Sequence, residues 1–280
     1  MSPQSERIGL ALSGGSTWGI AHVGVLAAFE EAGICVDAIA GTSAGAVVAA
    51  LYAFGIPVAR IAEAAKKLEW KQISSFAYSR LGVSSNASIA RMMTEMIGNA
   101  KIEEAKIPLA IVATNIETGG KAILREGSVA QAVQASSAIP GYFTPVEIGG
   151  ALHVDGSLSE NLPVSPLADL GATFTIGINL PGAAMNSRPR NVSEIIGRSF
   201  EILSHQYAAL PNSLDTLIEP DLLRFDPRSF AQAQEIYDEG YRAARSAVPG
   251  IKAKLALRAI GRSNVWKRAR LRIVRFFGGK

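Results

Sequence analysis

At 280 residues the chain has room for one large domain, or two small ones, with a well-buried core; 48% apolar and 19% charged residues exclude an intrinsically disordered protein. The formal charge of +4 is unevenly spread, because residues 251–280 hold ten Lys and Arg and no Asp or Glu, which leaves 18 basic against 24 acidic residues, a net of −6, in 1–250. A single cysteine, Cys35, excludes an intrachain disulfide and a multi-cysteine metal site, and its neighbours Ile34 and Val36 predict a buried structural thiol.

In chain order, residues 1–7 lack a charged-then-apolar leader with a small-residue cleavage site, so export by that route is not expected. Residues 8–12 read as a first strand, followed by a glycine-rich loop and a helix to about Glu31. Residues 36–40 read as a second strand running through Gly41-Thr42-Ser43-Ala44-Gly45 into an apolar helix that ends near Gly55. The uncharged run 38–59 is thereby divided into strand, turn and helix, and no transmembrane helix is predicted. Residues 58–70 and 86–99 read as helices, the second with Ile89, Met92, Met93, Met96 and Ile97 at helical spacing, a stripe suited to core more than to a substrate channel.

Residues 107–114 read as a central strand, and Gly-Gly pairs at 119–120 and 149–150 suggest hairpins beside it. Later strands are expected over 172–179 and 214–218, helices near 193–209 and 229–247, and an exposed loop over 181–190, which has two prolines and no period. Apolar runs alternating with helical segments from about residue 8 to 247 describe an α/β fold, a mostly parallel sheet covered by helices.

Gly41-Thr42-Ser43-Ala44-Gly45 matches the G-x-S-x-G elbow, in which flanking glycines avoid clashes at a sharp strand-to-helix turn and the serine oxygen sits at a helix N-terminus. Five residues with two free positions also describe a structural turn; the strand before and the helix after favour the elbow. A serine nucleophile needs a base, and the chain has only His22, His153 and His205. A late histidine on a loop is what a conventional triad requires, whereas His205 reads as mid-helix. An aspartate can serve directly, and Asp155, at the end of a short strand and before Gly156, is the best placed; a plain Asp-Gly turn reads equally well there.

Four ordered blocks resemble the patatin-like phospholipase family. Leu12-Ser13-Gly14-Gly15-Ser16-Thr17-Trp18-Gly19, continuing through His22 to Leu26, resembles its oxyanion loop and following helix, and residues 41–45 resemble its nucleophile elbow. Ala135-Ser136-Ser137-Ala138-Ile139-Pro140-Gly141 and Asp155-Gly156-Ser157 through Asn161-Leu162-Pro163 resemble the blocks around its catalytic aspartate. The resemblance implies a three-layer α/β/α fold and an acyl hydrolase of phospholipids or related lipids. It makes Ser43 the nucleophile and Asp155 the general base and acid, with the backbone N–H groups of Gly14, Gly15 and Ser16, and that of Ala44, holding the oxyanion. His22 is then a packing residue. The family pattern usually has glycine in place of Ser16 and arginine in place of Trp18; Trp18 would offer substrate an apolar plate instead of a cation.

The organisation expected is a catalytic domain over 1–250 and a basic helical tail over 251–280. Residues 263–277 place Trp266, Ala269, Ile273, Phe276 and Phe277 near one helical face and Lys267, Arg268, Arg270, Arg272 and Arg275 around the rest, which suits an anionic membrane surface; a solvated, partner-bound or disordered basic tail has the same composition. The activity expected is hydrolysis of lipid esters, with soluble carboxylic esters or lysophospholipids, or silent lipid binding, as the alternatives. No cofactor, metal or nucleic acid is expected, and the location expected is cytoplasmic with peripheral contact at the inner membrane face.

Overall fold

Residues 8–12 are apolar without a helical period, and in the structure, a computed structural model, they form β1 (Ile8–Leu12). The structure describes residues 6–69, 75–76, 81–182, 188–206 and 214–277, and of 75–76, 193, 205–206 and 262–277 the backbone alone. After a short 3-10 turn, Ser16–Gly19, come α1 (Ile20–Ala32), β2 (Ala38–Thr42), α2 (Ala44–Ala53), α3 (Val58–Lys66), β3 (Ser75–Phe76), β4 (Gly82–Ser85) and α4 (Ala87–Ile97). The middle of the chain gives β5 (Leu109–Asn115), β6 (Lys121–Leu124), α5 (Val129–Ser136), β7 (Gly141–Phe143), β8 (Val146–Ile148), β9 (Ala151–Asp155) and α6 (Ser157–Glu160). β10 (Phe174–Ile178), α7 (Val192–Gln206), β11 (Thr216–Ile218) and α8 (Ala233–Phe277) complete it.

Eight strands make the main sheet, in the order β11-β10-β1-β2-β5-β9-β8, with β6 also on β5. Neighbours from β11 to β5 run parallel, and β6, β9 and β8 join as antiparallel hairpin strands through the two Gly-Gly turns. Every residue of β1 and β2 is buried, as expected of a parallel sheet covered on both faces. On one face Ile8, Leu10 and Leu12 meet α1, α2 and α8 in the main core; on the other, Gly9, Ala11, Ala40 and Ala110 are small, and the segment 162–172 lies close against them. The result is the three-layer α/β/α arrangement. A second sheet, β3-β4-β7, stands beside it.

The ladder on β5 positions the site. β2 pairs with Leu109–Val112 and β9 with Ala113–Asn115, while β6 pairs with Ile111–Thr114 and so spans both stretches. A strand has two edges, so β2 and β9 share the edge that β6 does not use. Thr42 stands opposite Val112 and Asp155 opposite Ala113, which brings the end of β9 against the end of β2.

Three expectations change. Cys35 is exposed, not buried, because Ile34 and Val36 face inward on an extended stretch and alternation turns the residue between them outward. The methionine stripe is divided: Met93 is core, whereas Met92 and Met96 line a cavity. The last helix does not end near residue 247. α8 passes through Pro249 and Gly250 because Ile251 and Leu255 are packed on the core, Lys254 donates to the Asp215 carbonyl, and Arg258 pairs with Asp215. The side chains of 262–277, on which the membrane-facing reading of the tail depends, lie outside the described residues, as do those of His205 and residues 183–187 of the expected loop. No helix among the described residues is long and apolar enough to cross a membrane.

Candidate active site

The turn between β2 and α2 lifts Ser43 out of the sheet at φ 52° and ψ −122°, outside the regions L-residues ordinarily adopt. Both glycines of the pattern are demanded by close approach: a Cβ on Gly45 would lie 2.2 Å from the Leu12 carbonyl oxygen, and one on Gly41 2.5 Å from that of Gly45. The strained residue is pinned from outside the motif. Its N–H donates to Ser136 Oγ at 2.8 Å, and Ser136 Oγ–H donates to the Val112 carbonyl at 2.6 Å, tying the elbow to β5.

Register delivers the partner. Ser43 Oγ–H donates to Asp155 Oδ2 at 2.7 Å, while Asp155 Oδ1 accepts the Ser157 N–H at 2.9 Å, so both carboxylate oxygens are held. The carboxyl is fully buried, and burial pushes its pKa up from 3.8 to about 6; hydrogen bonds from the Ser157 N–H, the Ser43 hydroxyl and the Ser157 side chain oppose the rise, and the charge of Glu201 on α7 adds to it. A base poised just below neutral pH, in hydrogen-bond reach of a hydroxyl, is equipped to take that proton.

The glycine-rich loop lies beside this pair. The N–H of Gly14 is already engaged, donating to Asn161 Oδ1 at 3.1 Å and to the Asn161 carbonyl at 3.3 Å, so the structure gives it a loop-fixing part rather than a free donor. The N–H groups of Gly15, Ser16 and Ala44 have no hydrogen-bond partner among the described residues and remain available to a developing oxyanion. Ser16 does take up a conformation that favours glycine, φ 54°, at a cost on the order of 1–3 kcal/mol. Beneath the loop His22 is buried, its Nε2–H donating to the Ser13 carbonyl at 2.8 Å; burial depresses its pKa to about 4, and it stays neutral as a support for the loop.

Trp18 requires correction as a substrate contact. It is 2% exposed and packs with Ile20, Leu180, Leu222, Phe225 and Ile236. The 3-10 turn has three residues per turn, so with Ser16 and Thr17 on the cavity side Trp18 is carried round to the core.

The cavity opens at Ser43 and holds about 930 Å³ of empty volume, mouth included. Ala44, Val47, Val48 and Leu51 of α2 form one wall, a stripe extending about 10 Å at 1.5 Å per residue, and Ile89, Met92 and Met96 of α4 face it. Ile61, Ala64 and Ala65 of α3 and Ile139, Phe143 and Phe230 close the sides. The hydroxyls of Ser16, Thr17, Ser43 and Ser137 are the polar exceptions. Among the described residues no group of three or more His, Cys, Asp and Glu is placed to hold a metal ion.

Sequence patterns pointed to Ser43 and Asp155, and the structure brings them together; they did not single out Ser136 and Asn161. Both fall inside motif blocks, but their partners, Ser43 and Gly14, are 93 and 147 residues away in sequence, contacts only the fold reveals.

The family of patatin-like phospholipases matches residues 10–168. An uncharacterized NTE family protein of Mycobacterium tuberculosis is 34% identical over 201 residues, covering 69% of this chain and 56% of that protein. The lysophospholipase nte1 of Emericella nidulans is 26% identical over 286 residues, covering 90% of this chain and 19% of that one. The chain thus spans little more than half, or less, of the length of these curated relatives. Among solved structures, VipD from Legionella pneumophila shares the fold with a TM-score of 0.60 at 13% identity, over 89% of this chain and 68% of that one.

Proposed function

Because the chain belongs to the patatin-like phospholipase family, we propose that it is a lipid acyl hydrolase working through a Ser43–Asp155 dyad and an acyl-enzyme. The observation that carries this reading is the 2.7 Å hydrogen bond from Ser43 Oγ to Asp155 Oδ2 at the mouth of an apolar cavity. Asp155 takes the Ser43 proton as Oγ attacks the ester carbonyl carbon. The oxygen that becomes negative is received by the N–H groups of Gly15, Ser16 and Ala44, with Gly14 keeping the loop in place. As the tetrahedral intermediate collapses, Asp155 passes the proton to the leaving alcohol and the acyl group stays on Ser43. Water then attacks that ester, giving a proton to Asp155; on collapse the fatty acid leaves and Ser43 recovers its proton.

The cavity supports an acyl chain as the group bound. An extended hydrocarbon advances about 1.2 Å per bond, so the 10 Å stripe on α2 suits an acyl group of roughly eight carbons within its walls. A single-chain lipid, the lysophospholipid alternative, would fit this cavity, and the Emericella nidulans relative bears the name lysophospholipase. Soluble short-chain esters fit the same dyad.

Ser43→Ala and Asp155→Asn are each expected to lower hydrolysis of a nitrophenyl ester by at least about a thousandfold while leaving the circular dichroism spectrum unchanged. A fluorophosphonate probe should label the parent and not Ser43→Ala. Full activity in either variant would contradict the dyad, and comparing micellar with monomeric substrates of one chain length separates lipid from soluble-ester preference. The tail over 251–280 is proposed as a further contact with anionic membrane surfaces, and the chain as a peripheral protein of the cytoplasmic face.

A further inference from the structure

α7 is built inside out. A helix on a water-soluble body turns its apolar stripe to the core and its polar face to solvent. Here Val192, Ile195, Ile196, Ile202 and Leu203 recur at helical spacing on one face, and that face points outward: Val192 is 70% exposed, Ile202 55% and Ile195 52%. The opposite side carries Glu194, Gly197, Arg198, Phe200 and Glu201, all half-buried, and the buried Ser204. Next to α7, β7 touches it at Gly141, where a Cβ would lie 3.2 Å from Ile196 Cγ2. β4 runs parallel to β7 with Gly82 opposite Gly141, and Val83 and Tyr142 of these strands and Leu81 just before β4 are exposed as well. Of the twelve large apolar side chains exposed among the described residues, seven lie on three adjoining elements and an eighth, Leu81, directly precedes one of them. Scattered singly they would need no explanation; gathered, they mark a surface that something covers.

We propose that this face is where the protein docks on the surface of aggregated phospholipid. The choice of occupant rests on the lipid hydrolysis proposed above; the existence of the surface does not. Three observations favour lipid. The face is almost wholly aliphatic, whereas the centres of protein interfaces are anchored by Trp, Tyr and Arg. It adjoins the acyl cavity, because Tyr142 on the outer side packs edge-on against Phe143, ring centroids 4.8 Å apart, and Phe143 lines the cavity. Finally, Arg188 and Arg190, the latter paired with Glu194 at 3.5 Å, are exposed just before the helix, at the margin where phosphates of a lipid surface would lie. The same helix carries Glu201, whose charge reaches Asp155.

The test uses the full chain carrying Ser43→Ala, co-sedimented with phosphatidylcholine vesicles containing phosphatidylglycerol, in about 0.5 M salt so that contacts of the basic tail are screened. The parent is expected to bind, and Ile195→Ser/Ile202→Ser to lower the partition coefficient by about tenfold or more. Both positions are solvent-exposed, so the melting temperature should be preserved. In the active background the double variant should hydrolyse a soluble short-chain ester as the parent does and vesicle lipid more slowly. Unchanged vesicle binding by the double variant, or none by the parent, would overturn the proposal. So would a parent dimer that the double variant converts to a monomer in ultracentrifugation, which assigns the face to a second copy. Vesicle binding lost in the variant together with no ester hydrolysis by any active-background protein would leave the docking surface standing and remove the hydrolase reading.

Discussion

Asp155 is held in a position that is favourable for chemistry and unfavourable for stability. Its folded pKa of about 6 stands above the ordinary 3.8, so the folded state binds this proton more tightly than the unfolded chain does. The contribution to stability is therefore complete below about pH 4 and is lost as pH rises through 6, reaching a cost of up to about 3 kcal/mol for the charged form at pH 8. Asp155→Asn removes that charge and keeps an oxygen for the Ser157 N–H. Its melting temperature is expected to exceed the parent's by several degrees at pH 8, with the difference closing towards pH 4. Ester hydrolysis by the parent should rise through about pH 6, as the carboxylate forms. At this scale the sequence pointed to the two residues of the proposed dyad, Ser43 through its elbow pattern and Asp155 only once the ordered family blocks were added to an Asp-Gly that reads equally well as a turn. Ser136, which holds the elbow through one hydroxyl, and Asn161, which occupies the Gly14 N–H, were hidden because each acts across the fold. Trp18 was misjudged for a related reason: adjacency to a catalytic loop does not determine the side of the turn on which a side chain emerges.

Among the elements, the crossing of α1 and α8 is the tightest contact in the helical layer. A Cβ on Gly24 would lie 2.1 Å from the Tyr237 carbonyl oxygen, and one on Gly240 2.0 Å from that of Ala21. In an exposed helix Gly→Ala stabilises by up to about 1 kcal/mol. Here the sign should reverse, Gly24→Ala or Gly240→Ala costing about 1–3 kcal/mol in urea unfolding because backbone cannot move aside as a side-chain tip can. Gly197→Ala on α7, where nothing lies within 4 Å, is the control and should stabilise slightly. The parallel strands and the hairpins of the main sheet were legible as apolar runs and turn residues, and α1 and α2 as the helices that follow β1 and β2, whereas β3, β4 and β7 of the second sheet were not read as strands. The end of α8 was not legible, since Pro249 and Gly250 are local stop signals overruled by the docking of Ile251 and Leu255. Nor was the pairing of both β2 and β9 with one edge of β5, which no periodicity encodes.

For the molecule as a whole, the division between an acidic body and a basic end is partly internal bookkeeping. Lys254 and Arg258, the first basic side chains of the tail after Lys252, are spent on Asp215 and on the carbonyl of Thr173. Less charge is thus left for an outside partner than composition alone suggests. The ladder on β5 has a consequence for heat. Where catalytic groups sit on separate loops, warming lets them drift apart before the body melts, and activity disappears early. Asp155 instead ends β9 and Ser43 directly follows β2, two strands meeting on one edge of β5, and Ser136 ties Ser43 to that strand again. The temperature at which half the ester hydrolysis is lost should therefore coincide with the midpoint of unfolding followed by circular dichroism; inactivation well below it would mean that the loop at Gly14 to Ser16, rather than the sheet, sets the thermal limit.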